Sequence, residues 1–278
     1  MNQVQDFVLA GEELTAGYLL KHASAVSQDR RLIASSFSAT LGLLYLERQA
    51  PVTGGGSCAL SSAALAALDQ HLCSDFGAIL DVLDPAMVLR VAAALPAGFG
   101  WAGIARARDE IAAQLANVPG PHRGRVQYIQ SLLSGPLVDV SWQLPRPPDT
   151  VELLQWTPPQ LVAYAYELMA QPRRLDPDLA DCLALIALSD LRKYRFDAGC
   201  TLLCALLHCG CRSAYLETGM EFIRLQRRSN GSYGHVNMLN KKNLIPDDLD
   251  HQFHLPFTVH ALAVQDAALR PLPLRDAA

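Results

Sequence analysis

The sequence predicts an all-α protein built from antiparallel helical hairpins. Three observations carry that expectation. Apolar residues recur at every third to fourth position in segment after segment, the repeat of an amphipathic helix. Prolines fall at segment edges, as in Pro85, Pro158-Pro159 and Pro177, where a helix has no backbone bond to lose. Short connections join the later segments, so consecutive helices are expected to fold back on one another.

Taken in order, residues 6–26 place Phe7, Leu9, Leu14, Tyr18, Leu19 and His22 at helical spacing, with a break near Gly11-Glu12. Asp29 is a candidate cap for a second helix, which carries Leu32, Ile33, Phe37, Leu41, Leu44 and Tyr45 on one side and stops before Pro51. Gly54-Gly55-Gly56 reads as a flexible link, because a phosphate-cradling loop needs a preceding strand and a lysine. Helices are then expected from Ser57 or Ser61 through Leu72, and from Asp75 towards Leu95 with a division at Pro85. Two more cover Ala102 to Leu115 and His122 to Leu133, separated by Pro119-Gly120-Pro121.

Residues 135–159 differ in texture. Pro136, Pro145, Pro147, Pro148, Pro158 and Pro159 crowd a stretch in which Val138, Val140, Trp142 and Leu144 alternate with polar residues. Proline density favours an extended connector over a strand, and Trp142 and Trp156 need burial against the body. The expectation is one domain, residues 1–278, with this connector between two helical halves. The second half predicts helices at 158–170, 177–191, 196–207, 212–226 and 256–269, with Asp176 and Asp197 as caps.

Composition excludes several classes of function. Half of the residues are hydrophobic and 18% are charged, enough for a sizeable core. A net charge of −4 argues against a nucleic-acid partner, which needs a clustered basic field. No apolar run is long enough to span a membrane, and Met1 to Asp6 lack the basic start of a signal peptide. A cytoplasmic location follows as the expectation, with the seven cysteines reduced. The Ala-, Leu- and Arg-rich usage suits a high-GC bacterium.

Five of the eight histidines lie from His208 onward, around one turn. Leu225-Gln226-Arg227-Arg228-Ser229-Asn230-Gly231-Ser232-Tyr233-Gly234 resembles the QW-type turn of the α/α-toroids, which include the terpenoid cyclases and the β subunits of protein prenyltransferases. Tyr233 stands where those folds commonly have tryptophan. Asp250-His251-Gln252-Phe253-His254, running into Phe257-Thr258-Val259-His260-Ala261-Leu262, resembles the start of the next toroid helix. The likeness covers about a fifth of the chain and rests on one copy of the turn. It implies an α/α-toroid or partial toroid. The residues themselves give the turn a rationale: Gln226 can satisfy backbone groups at a helix end, Asn230-Gly231 tolerate left-handed torsions, and Tyr233 packs across the turn.

Three chemistries follow, each beside a plainer alternative. The prenyltransferase resemblance implies zinc held by Cys209 or Cys211, Asp250, and His254 or His260, a donor set that suits the metal. Against it, Cys200, Cys204, His208 and Cys211 form one helical stripe and read as core. Asp247-Asp248-Leu249-Asp250 is the one aspartate cluster that could supply a cyclase acid, although its order departs from the DxDD element of class II terpene cyclases. On a surface, the same residues cap the following helix. Acid–base work by His235, Asp250 and His254 is the third chemistry, with Tyr233, His251, Phe257 and His260 shaping a pocket. Each of these histidines can equally be a structural residue.

The functional expectation is a biosynthetic enzyme of specialised metabolism, acting on a hydrophobic or peptide-like small molecule by acid–base, cyclase-type chemistry. The alternatives are a zinc-dependent prenyltransferase-like enzyme, and a non-catalytic helical-repeat scaffold or binding protein that docks a protein partner or a second copy of the chain.

Overall fold

Helix starts follow local chemistry closely. The computed structural model describes residues 14–23, 33–49, 66, 69, 85–94, 102–115, 123–134, 148–234 and 250–269. Helices account for most of them: α1 (residues 14–23), α2 (Ile33–Gln49), α3 (Pro85–Ala94), α4 (Ala102–Leu115), α5 (Arg123–Ser134), α6 (Thr150–Gln155), α7 (Pro158–Ala170), α8 (Pro177–Arg192), α9 (Phe196–His208), α10 (Ala214–Leu225) and α11 (Asp250–Leu269). Among the described residues there is no strand; isolated bridge positions fall at Arg173 and at the antiparallel pair Arg227 and Tyr233. The protein is all-α.

Asp176 caps α8 as expected, accepting from the N–H groups of Asp178 and Leu179 at 3.0 and 3.4 Å. Gln160 Oε1 accepts from both the backbone N–H and the hydroxyl of Thr157, closing the start of α7. Two expectations are corrected. Asp197 lies in the first turn of α9, whose N-cap is Arg195, with no side-chain bond. Pro256 does not start the last helix; it sits inside α11, which begins six residues earlier at Asp250. The ring removes one backbone bond there. Of residues 135–159, those at 135–147 lie outside the described residues, and Thr150–Gln155 is helical, capped by Asp149 accepting from Glu152 N–H at 2.7 Å.

The chain divides into two compact units. Unit 1 comprises residues 1–110 and 224–266; unit 2 comprises 111–223 and 267–278. In unit 1, α2 is buried continuously from Ser36 to Tyr45 and packs on α3. Its buried hydroxyls are met locally: Ser36 donates to the His22 carbonyl at 3.1 Å and Thr40 to the Ser36 carbonyl at 2.8 Å. A Cβ at Gly42 would lie 3.0 Å from Leu19 and 3.4 Å from Leu262, so α1 and α11 both close on α2 at that point.

In unit 2, α9 is buried from Ala198 to Leu207, apolar on every side as a central helix must be. It packs on α7 and α8; α7 also packs on α5, and α8 on α6. Helices two apart in sequence are therefore in contact in three cases, α5 with α7, α7 with α9 and α6 with α8. Tyr128 and Tyr166 join α5 to α7, with ring centroids 5.3 Å apart.

Both α8 and α9 end in the same 6→1, 5→2 bonding pattern. After α8, Arg195 N–H reaches the Asp190 carbonyl at 2.9 Å and Tyr194, at φ 61°, reaches Leu191 at 3.1 Å. After α9, Cys211 N–H reaches Leu206 at 3.0 Å and Gly210, at φ 67°, reaches Leu207 at 3.0 Å. Asp190 is buried, with Oδ1 3.2 Å from Arg195 Nε. Burial pushes its carboxyl above the ordinary range, against the pull of Arg195 and Lys193. The folded state thus holds the proton more tightly than the unfolded chain. This contribution to stability is complete below the unfolded carboxyl value and is lost as pH rises through the raised one. Thermal denaturation from acid pH to neutrality should show wild type losing ground relative to Asp190→Asn. A constant difference across that range would contradict the assignment.

Candidate functional site

Helix α10 ends at Leu225 and the chain reverses over residues 226–234. Gly234 N–H donates to the Gln226 carbonyl at 3.0 Å, Arg228 N–H to the Ser232 carbonyl at 2.7 Å, and Gly231 N–H to the Arg228 carbonyl at 3.0 Å. Asn230 Oδ1 accepts from both the N–H and the hydroxyl of Ser232, at 3.1 and 2.8 Å. Gly231 takes φ 86°, the left-handed torsion expected of the Asn-Gly pair.

Two helices of unit 1 clamp this turn. On one side, the Thr15 hydroxyl of α1 donates to the Gly231 carbonyl at 2.7 Å, and the Leu14 carbonyl presses on the Gly231 Cα. On the other, Tyr233 N–H donates to Thr258 Oγ1 at 2.9 Å, while that hydroxyl donates to the His254 carbonyl at 2.7 Å. The Tyr233 hydroxyl accepts from Gln265 Nε2 at 3.1 Å. His254, Thr258 and Gln265 lie along one side of α11, four and seven residues apart, which is the spacing of a helical face.

The expected site residues are distributed as follows. Tyr233, His254 and Phe257 are buried, and His260 is half-buried. Tyr233 and His254 are brought together: the His254 imidazole lies against the Cα of Gly234, where any side chain would collide with Nδ1. Asp250 opens α11 one turn before His254, and His251 follows it; the side chains of both lie outside the described residues, as does His235 altogether. The aspartates at 247 and 248 are also outside them. Sequence reasoning missed Thr15, Thr258 and Gln265. Thr258, four residues after His254, carried the one available signal, since a helical threonine at that spacing back-bonds to the preceding turn.

The cysteines at the end of α9 have a backbone explanation: Cys209-Gly210-Cys211 is the helix C-terminus itself, with glycine at the left-handed position. Burial raises the Cys209 thiol and pushes Cys211 up to about 12, so in the metal-free chain both stay protonated at neutral pH. Complete burial raises the Cys200 thiol as well. Among the described residues, no group of three or more histidine, cysteine, aspartate or glutamate side chains is placed to hold a metal ion. No described helix is long and apolar enough to cross a membrane. No family model, curated protein or solved structure matches the chain.

Proposed function

We propose that the protein is a toroid-type helical-hairpin enzyme that acts on a hydrophobic or peptide-like small molecule by acid–base chemistry. His254 is the proton-transfer group, with Asp250 four residues before it and His235 following Gly234 as further acid–base groups, and Tyr233 and Phe257 shaping the apolar wall. The observation that carries this reading is the placement of His254. Its imidazole is buried at the junction of the turn and α11 and is set against Gly234, the residue just before His235. A general base has to be held in one orientation in a site that restricts water, and this junction supplies both conditions. The alternate-helix packing of unit 2 adds support for stacked hairpins, the building unit of a toroid.

One observation favours a non-catalytic scaffold instead. The Tyr233 N–H and hydroxyl and the Thr258 hydroxyl are all engaged within the fold, as befits a purely structural clasp. The two readings separate in one experiment. Purified protein is incubated with a low-polarity extract of the source organism, and consumed compounds are followed by mass spectrometry. Asp250→Ala and His254→Gln should each reduce turnover by about 100-fold or more, with helical circular dichroism retained. Folded variants that convert substrate as wild type does would remove His254 and Asp250 from the chemistry. A wild-type protein that converts nothing would favour the scaffold.

A further inference from the structure

Arg173 follows α7 beside the Cys209 thiol. Its Nη2 donates to the Tyr164 hydroxyl at 3.3 Å. The side chain is half-buried, and its Nε–H is fully buried with no hydrogen-bond partner. Among the described residues no carboxylate forms an ion pair with the guanidinium. A guanidinium has five donors in a flat fork, cannot lose its charge, and is costly to desolvate without an anion. Among the described residues, the guanidinium's one hydrogen bond is to a neutral phenol oxygen.

We propose that Arg173 and Tyr164 form a binding site for an oxyanion, the carboxylate or phosphate of a small molecule. The guanidinium supplies the charge and the fork geometry that both groups prefer. Tyr164 supplies a second donor. Its oxygen accepts from Nη2, which leaves its own proton to give to the ligand, and burial holds that proton in place by raising the phenol above its usual value. Trp156 packs its ring against Tyr164 at 5.5 Å and 82°, an apolar wall that strengthens charge-assisted bonds by excluding water. The site lies wholly in unit 2 and does not depend on the acid–base reading of residues 233–254.

The full chain is titrated with sodium phosphate and, separately, sodium benzoate, each against sodium chloride at matched ionic strength. Two signals are read: the melting temperature and the ¹⁵N resonance of the Arg173 Nε–H. One of the two anions should raise the melting temperature saturably and shift the Arg173 resonance, while chloride does neither. A response to benzoate alone assigns a carboxylate ligand, and a response to phosphate alone a phosphate. Arg173→Gln should abolish the response, and Tyr164→Phe should weaken binding by about tenfold, the effect of losing one hydrogen bond to a charged group. The proposal fails if neither anion moves the wild-type resonance, or if Arg173→Gln responds as wild type does. If Arg173→Gln does not fold, the wild-type resonance together with Arg173→Lys decides, since lysine keeps the charge and loses the fork. An unchanged binding constant in Arg173→Lys would overturn the proposed geometry.

Discussion

Alanine in place of Gly231 is expected to lower the unfolding free energy by about 3 kcal/mol, measured by urea denaturation. Two effects act together. The residue sits at φ 86°, where an L side chain is strained. Its Cβ would also enter the space of the Leu14 backbone carbonyl, and backbone cannot step aside as a side-chain tip can. Relief would require α1 to withdraw, and withdrawal breaks the Thr15–Gly231 bond. Gly231→Asn separates the contributions: asparagine tolerates left-handed torsions but still carries a Cβ. Because the collision dominates, Gly231→Asn should be nearly as unstable as Gly231→Ala. Wild-type stability in Gly231→Asn would show that torsion alone makes glycine necessary there.

Valine at position 199 should cost about 3 kcal/mol by the same measurement, through overpacking where α8 crosses α9. A Cβ there would lie 2.8 and 2.9 Å from Leu191 side-chain atoms and 3.0 Å from the Ala187 carbonyl oxygen. Leu191 is itself fully buried, so it has nowhere to turn, and the carbonyl belongs to the helix backbone. Gly219 provides the contrast. Its nearest neighbours are the Leu203 methyls, at 3.2 and 3.3 Å, which a small rotation can move. Gly219→Ala should therefore lose no more than roughly 1 kcal/mol, part of it regained from alanine's higher helix propensity. Equal losses at the two positions would mean that the α8–α9 crossing is looser than the distances say.

Local features were the legible ones. Pro158, Pro177 and Asp176 mark helix starts because the chemistry that sets them lies within three residues of the boundary. The left-handed glycine of the 226–234 turn was readable for the same reason. Pro256 misled because a proline inside a helix leaves the same local signature as one at its start. Cys209-Gly210-Cys211 looked like ligand chemistry, yet its spacing is that of a glycine-terminated helix with a thiol on each side. What holds the turn was not legible at all. Thr15 is 216 residues from Gly231, and nothing in a single sequence links a threonine in the first helix to a carbonyl in the last quarter of the chain. Arg173 was equally hidden. Its distinction comes from Tyr164 and Cys209, which only tertiary packing brings to it.

That 216-residue separation has a consequence for how the protein comes into being. Residues 111–223 of unit 2 are contiguous, but unit 1 is assembled from the two sides of that segment. On a ribosome adding about 5–20 residues per second, Leu14 and Thr15 emerge on the order of 10–40 s before the turn that covers them. During that interval Leu19 of α1 and Gly42 of α2 lack Leu262 of α11, which finally closes on the same point. The nascent chain therefore carries this part of unit 1 without its α11 partner for most of its synthesis.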